Sequence, residues 1–317
     1  MSIIDQIDPE LRAAFLALPA GLVESPEAAL KVREFPTEGL HLKSRPLGGI
    51  HRDVMVPGPS NAPDVKVRIY QPNDNPLPQL PALIWLHGGG YYMGDLDMED
   101  GWLILLARAV NCIVVSVDYR LAPEHPFPAA IEDSHAALVW THEHAKELGI
   151  DPQRIAIGGE SGGGGLAAGL GIYARDKAEV PVAFQLLLAP MIDDRGVTHA
   201  NKRITDQRLY NQAFGNQLWK FYLGASYGSD TVSPYAAAAR ATNLKGVAPA
   251  YIGIAELDLF VDECLDYARK LLEGGVRTEL NVYPGAFHGF DRFAPEARVS
   301  KKFFADSYAA LIKALHG

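Results

Sequence analysis

Two cysteines among 317 residues cannot build a disulfide framework, and their positions, Cys112 and Cys264, match no zinc-ligand spacing. Cys112 opens the apolar run Cys112-Ile113-Val114-Val115, which predicts a buried thiol. No stretch approaches the roughly twenty apolar residues that a membrane span needs. The first residues, Met1-Ser2-Ile3-Ile4-Asp5, lack the basic segment and apolar block of a secretory leader, so a cytoplasmic location is the expectation. Cations are also short, 29 Lys and Arg against 38 Asp and Glu, for a formal charge of −9. That balance argues against a nucleic-acid groove, which needs clustered positive charge, and equally against an anionic membrane surface. Neither an internal repeat nor a low-complexity linker is present.

What the chain does have is 48% apolar residues, enough for a large core, arranged as apolar runs alternating with helix-like segments. Residues 65–70, 82–86, 113–117, 154–158, 183–189, 250–255 and 278–283 read as strands. Residues 97–110, 127–148, 161–175, 262–272 and about 296–315 read as helices. The β-branched run at 113–117 is the mark of a strand buried on both faces. Alternation of this kind predicts an α/β fold, a mostly parallel central sheet with helices on both faces. In such sheets the reactive groups gather in loops at the carboxyl ends of the strands. Two segments break the alternation. Residues 1–45 carry Leu11, Phe15 and Leu18 at helical spacing, and residues 192–235 carry Leu218, Phe221 and Tyr222 on one helical face. These stripes either pad the core or form a cap over the strand ends.

Two glycine-rich loops carry chemistry. Gly159-Glu160-Ser161-Gly162-Gly163 fits G-x-S-x-G, a sharp strand-to-helix turn that presents a serine hydroxyl at the sheet edge. Serine needs a base to become a nucleophile. The helix that follows opens with Gly162 to Gly165 and aims its free N–H groups at the reacting atom, which makes the Gly162 N–H an expected oxyanion donor. A phosphate-binding loop is the poorer reading, since no Gly-Lys-Ser/Thr follows. Some seventy residues earlier stands His87-Gly88-Gly89-Gly90, whose glycines let backbone amides approach a substrate oxygen closely. The N–H groups of Gly88 and Gly89 are assigned to the oxyanion hole, with His87 orienting the loop. Tyr91 and Tyr92, next in line, either bind substrate or pack.

With the acid and then the histidine expected after the nucleophile, His199, His288 and His316 remain of ten histidines. His288 directly follows a predicted strand and precedes the last helix, the place for a base. Asp258 follows the strand at 250–255 and is the acid that would fix the imidazole tautomer. Glu256 is the weaker rival, and Asp262 is expected to cap the helix at 262–272. Glu160 is expected to brace the turn. His142 and His144 lie two apart on a helix and face different ways, so neither a metal nor a cofactor is expected.

Trp85 to Gly90, Asp118 to Glu124, Gly159 to Gly164, Asp258 to Asp262 and Phe287 to Phe290 together resemble the hormone-sensitive-lipase-like esterases of the α/β-hydrolase fold, the bacterial group with an HGGG loop. The resemblance implies a triad of Ser161, Asp258 and His288, an oxyanion hole from Gly88, Gly89 and Gly162, and a helical cap built from residues 1–45 and 192–235. The two core parts are then 46–191 and 236–317. It also suggests homodimers through the strand and helix near the C-terminus. Two positions depart from the group: Gly162 stands where alanine is frequent, and Leu259 where proline is. Arg120 and Glu124 are expected to pin their loop by ion pairing. The activity expected is hydrolysis of short- to medium-chain acyl esters through an acyl-enzyme. An amidase or arylformamidase of the same chemistry is the alternative, and a silent small-molecule receptor, which would lack the base histidine, a more distant one.

Overall fold

The computed structural model describes residues 3–18, 30, 31, 33, 50–72 and 79–317. Much of the expected N-terminal cap segment therefore lies outside the described residues. Eight strands form one sheet: β1 (Ile50–Val56), β2 (Val65–Gln71), β3 (Leu80–Leu86), β4 (Ile113–Asp118), β5 (Ile150–Glu160), β6 (Phe184–Leu188), β7 (Ala250–Leu257) and β8 (Thr278–Phe287). Their order is β1-β2-β4-β3-β5-β6-β7-β8. The strands from β4 to β8 run parallel, and β2 joins β4 and β1 in antiparallel pairs.

The order explains where the helices go. From β3 the chain steps one way to β4, then reverses to reach β5. Right-handed crossovers in opposite directions place their helices on opposite faces. After the N-terminal α1 (Arg12–Ala17), α2 (Asp100–Val110) accordingly packs with the last helix, α7 (Arg298–His316), while α3 (Ala129–Glu143) packs with α4 (Gly162–Lys177). The reversal also leaves a crevice at the carboxyl ends of β3 and β5, the place where open sheets of this type bind ligands.

The strand β1 was not foreseen. Its first half reads Ile50-His51-Arg52-Asp53, without an apolar run, because it is an edge strand that pairs only with β2 and keeps those polar side chains exposed. The helix expected at 97–110 is divided. The Asp95 carboxylate accepts from the N–H groups of Asp97 and Met98 and holds Leu96–Glu99 as a 3-10 turn before α2 begins. The strand β8 runs four residues past its expected end, with an irregular register opposite Ala255 to Leu257.

Candidate active site

The sheet register brings the singled-out loops together in pairs. Leu86 of β3 lies beside Gly159 of β5, so the glycine loop and the serine turn leave adjacent strands. Leu257 of β7 lies beside Phe287 of β8, so the next residue on each strand, Asp258 and His288, emerge side by side.

Ser161 occupies the first position after β5, with φ 55° and ψ −119°. Positive φ for a residue with a Cβ costs about 1–3 kcal/mol and persists only where surroundings impose it. Here they do. The Ser161 N–H donates to the Leu188 carbonyl at 2.8 Å, and its own carbonyl accepts from Gly165 at 2.9 Å and Met191 at 3.0 Å. The helix α4 then crosses close beneath the β3 loop. A Cβ on Gly162 would stand 2.7 Å from the Tyr91 nitrogen and 2.8 Å from Gly90, so glycine replaces alanine here because the loop occupies that space.

The three side chains picked from the sequence form one chain of hydrogen bonds. His288 Nε2 lies 3.0 Å from Ser161 Oγ, and Nδ1 lies 2.6 Å from Asp258 Oδ2. An ionised carboxylate only accepts, so Nδ1 carries the proton and Nε2 is left to accept from the serine hydroxyl. Asp258 Oδ1 accepts from the Phe260 N–H at 3.0 Å, which fixes the carboxylate plane. All three residues are buried or nearly so. Burial presses the imidazole towards its neutral form, but the Asp258 charge and hydrogen bond, with Glu160 and Asp291 behind them, hold its pKa above the ordinary 6.5.

The remaining expectations meet mixed outcomes. Gly88, expected as an oxyanion donor, directs its N–H at Glu99 Oε1, 3.2 Å away. Among the described residues none accepts from the N–H groups of Gly89, Gly90 or Gly162. His87 does hold the loop, donating from Nδ1 to the Gly88 carbonyl at 2.8 Å while its ring stacks on Tyr119. Tyr91 is committed to packing. It is fully buried, donates to the Met191 carbonyl at 2.6 Å and stacks on Tyr222 with centroids 3.9 Å apart. Tyr92, also buried, touches Phe214 and Phe221 of α5 (Gln212–Leu223). Asp262 does not cap its own helix, α6 (Val261–Glu273); its carboxylate accepts at 2.6 Å from the N–H of Ala200, in the first turn of the short helix His199–Arg203, whose N-cap is Thr198. Glu256 accepts from the Gly285 N–H at 2.8 Å, away from the imidazole. Arg120 pairs with Asp133 at 2.7 Å and Glu124 with Arg33 at 2.7 Å.

Sequence reasoning missed Tyr210, Glu99 and Arg292, and gave Leu218 only as part of an apolar stripe. Tyr210, from the mid-chain segment, lies 4.5 Å from the His288 ring centroid to centroid, and Leu218 of α5 covers Gly90. Those contacts place the segment 192–235 against both loops. Glu99 and Arg292 join Glu160 in a buried ion network, with Arg292 Nη2 between the two carboxylates. Nothing local marks these residues, since Glu99 sits in an acidic run and Arg292 in a one-turn helix.

The residue pattern of a family described by its alpha/beta hydrolase fold matches residues 83–292. The chain belongs to the α/β-hydrolase family, in its hormone-sensitive-lipase-like group. It is 39% identical over 257 residues to the carboxylesterase NlhH of Mycobacterium tuberculosis, covering 80% of this chain and 79% of that protein. It is 35% identical to the esterase LipI of the same organism, over 98% of this chain and 96% of the relative. Among solved structures, a bacterial heroin esterase superposes with a TM-score of 0.93 at 40% identity, with each chain covered completely. Among the described residues no helix is long and apolar enough to cross a membrane.

Proposed function

We propose that the protein is a carboxylic-ester hydrolase that works through an acyl-enzyme on Ser161. The observation that carries the reading is the unbroken chain Asp258–His288–Ser161 beside backbone N–H groups that have no acceptor among the described residues. Ser161 Oγ attacks the ester carbonyl as His288 Nε2 takes its proton. Asp258 stabilises the imidazolium and holds its tautomer. The carbonyl oxygen, now negative, accepts from the N–H groups of Gly89, Gly90 and Gly162. Donors fixed in advance stabilise that charge without reorganising. The imidazolium then protonates the leaving alcohol, and water attacks the acyl-enzyme by the reverse sequence. The names of the relatives, a carboxylesterase and esterases, support ester over amide substrates.

Tyr210, Phe214 and Phe221 stand partly exposed around the imidazole and Tyr92, and such walls suit short to medium acyl or aryl groups better than long extended chains. The test is hydrolysis of p-nitrophenyl esters of graded chain length, with matched anilides, by wild type and Ser161→Ala. Rates fall with chain length, anilides are far slower, and Ser161→Ala loses at least about 10³-fold in kcat. Wild-type turnover by Ser161→Ala would end the proposal.

A further inference from the structure

The Glu99 carboxylate is buried and surrounded by three donors. Oε1 accepts from the Gly88 N–H at 3.2 Å and from Arg292 Nη2, and Oε2 accepts from the Trp85 indole N–H. Burial opposes ionisation of this group, yet the Arg292 charge and the indole hydrogen bond outweigh it and hold the pKa low. Arg292 in turn reaches Glu160 Oε2 at 2.6 Å, the residue before the nucleophile. One guanidinium therefore links the glycine loop to the serine turn, and it does so from a residue four positions after His288.

The geometry at Gly88 gives this network a purpose. Glu99 holds the N–H of Gly88 and His87 Nδ1 holds its carbonyl, so both peptide units flanking this residue are tied. In a trans peptide the C=O and the N–H of the next residue point in opposite directions. Fixing the Gly88 carbonyl therefore fixes the Gly89 N–H, and the tie to Glu99 stops the preceding peptide from rotating. Three consecutive glycines would otherwise leave the loop many conformations. We propose that Glu99 is a positioning residue for the oxyanion hole, acting through the Gly88 N–H to aim the Gly89 N–H, with Arg292 anchoring it to the nucleophile turn.

The inference rests on the acyl-transfer reading above, and the test separates the two. Glu99→Gln offers one acceptor oxygen where three donors converge, so either amide orientation sets an NH2 against an N–H. Glu99→Asp keeps both oxygens but withdraws them by one methylene, and serves if the amide variant does not fold. Each is measured for kcat, KM, cooperative melting and inhibition by a trifluoromethyl ketone, which forms a tetrahedral oxyanion on the serine. Glu99→Gln is expected to lower kcat by about 10- to 100-fold, within the range for one compromised oxyanion donor. KM stays within about twofold, and the ketone weakens by the factor lost from kcat/KM. Glu99→Asp shows the same pattern with a smaller loss. Wild-type kcat and ketone affinity in a folded variant overturn the proposal, as does a change confined to KM. Ser161→Ala, run alongside, identifies the other failure: if it still hydrolyses ester, the acyl-transfer reading itself falls.

Discussion

The His288 imidazole is enclosed by Asp258, Tyr210 and Phe260, and its protonation sets the acid edge of any activity it supports. Burial favours the neutral ring, while the Asp258 charge and hydrogen bond favour the cation and prevail, so the pKa is raised above 6.5. A base must be neutral to accept a proton, and so the active fraction falls as pH drops through that raised value. The acid limb of kcat/KM is therefore expected above pH 6.5, where a free imidazole would place it lower. Asp258→Asn removes the largest stabiliser of the cation. It should move the limb to lower pH while kcat falls by roughly 10⁴, because the tautomer is no longer held. A pH–rate profile for each protein decides the matter; a wild-type limb at or below 6.5, or one that rises in Asp258→Asn, would remove the carboxylate from this role.

At the scale of elements, the turn between β5 and α4 depends on how closely helix and sheet approach. A Cβ on Gly163 would land on the carbonyl oxygens of Leu86 and His87, both backbone, so neither can move without displacing the glycine loop. Gly163→Ala is expected to cost about 1–3 kcal/mol as an overpacked site. Ester turnover should fall further than stability does, read from thermal melts and kcat on the same preparation. Wild-type values for both would show that the two elements have slack. This turn was legible in the sequence because its function requires glycines at fixed offsets, and the parallel strands were legible because burial on both faces writes continuous apolar runs. The strand β1 was not, since His51, Arg52, Asp53 and Met55 are all exposed and its polar residues follow no period-two pattern. The partner of the Gly88 N–H was not legible for a related reason. Whether the Gly88 N–H meets substrate or Glu99 is decided by a side chain eleven positions away, and no local pattern encodes that pairing. Asp262 failed likewise: an acid at a helix start predicts a bond to its own first turn, but not that a neighbouring helix offers the N–H.

Across the whole molecule, the first described helices close onto the far end of the chain. The Asp8 N–H donates to the Gly285 carbonyl at 3.0 Å, Glu10 pairs with Arg298, and Phe15 of the helix Arg12–Ala17 meets Phe287 edge-on at 5.5 Å. The Arg208 guanidinium lies 4.6 Å over the same Phe15 ring. Phe15 thus sits between the residue preceding His288 and the segment that carries Tyr210, the two flanks of the imidazole. Fully buried, it should cost about 3–5 kcal/mol when cut to alanine. The loss has a second consequence, since a cavity there frees Phe287 and Arg208 to shift and the imidazole with them. Phe15→Ala is therefore expected to melt at lower temperature and, well below that temperature, to turn over ester several-fold more slowly, with KM altered as Tyr210 moves. A lowered melting temperature with unchanged kcat and KM would mean that the helix supplies stability alone. The base would then be placed by β8 and its bond to Asp258 without help from the start of the chain.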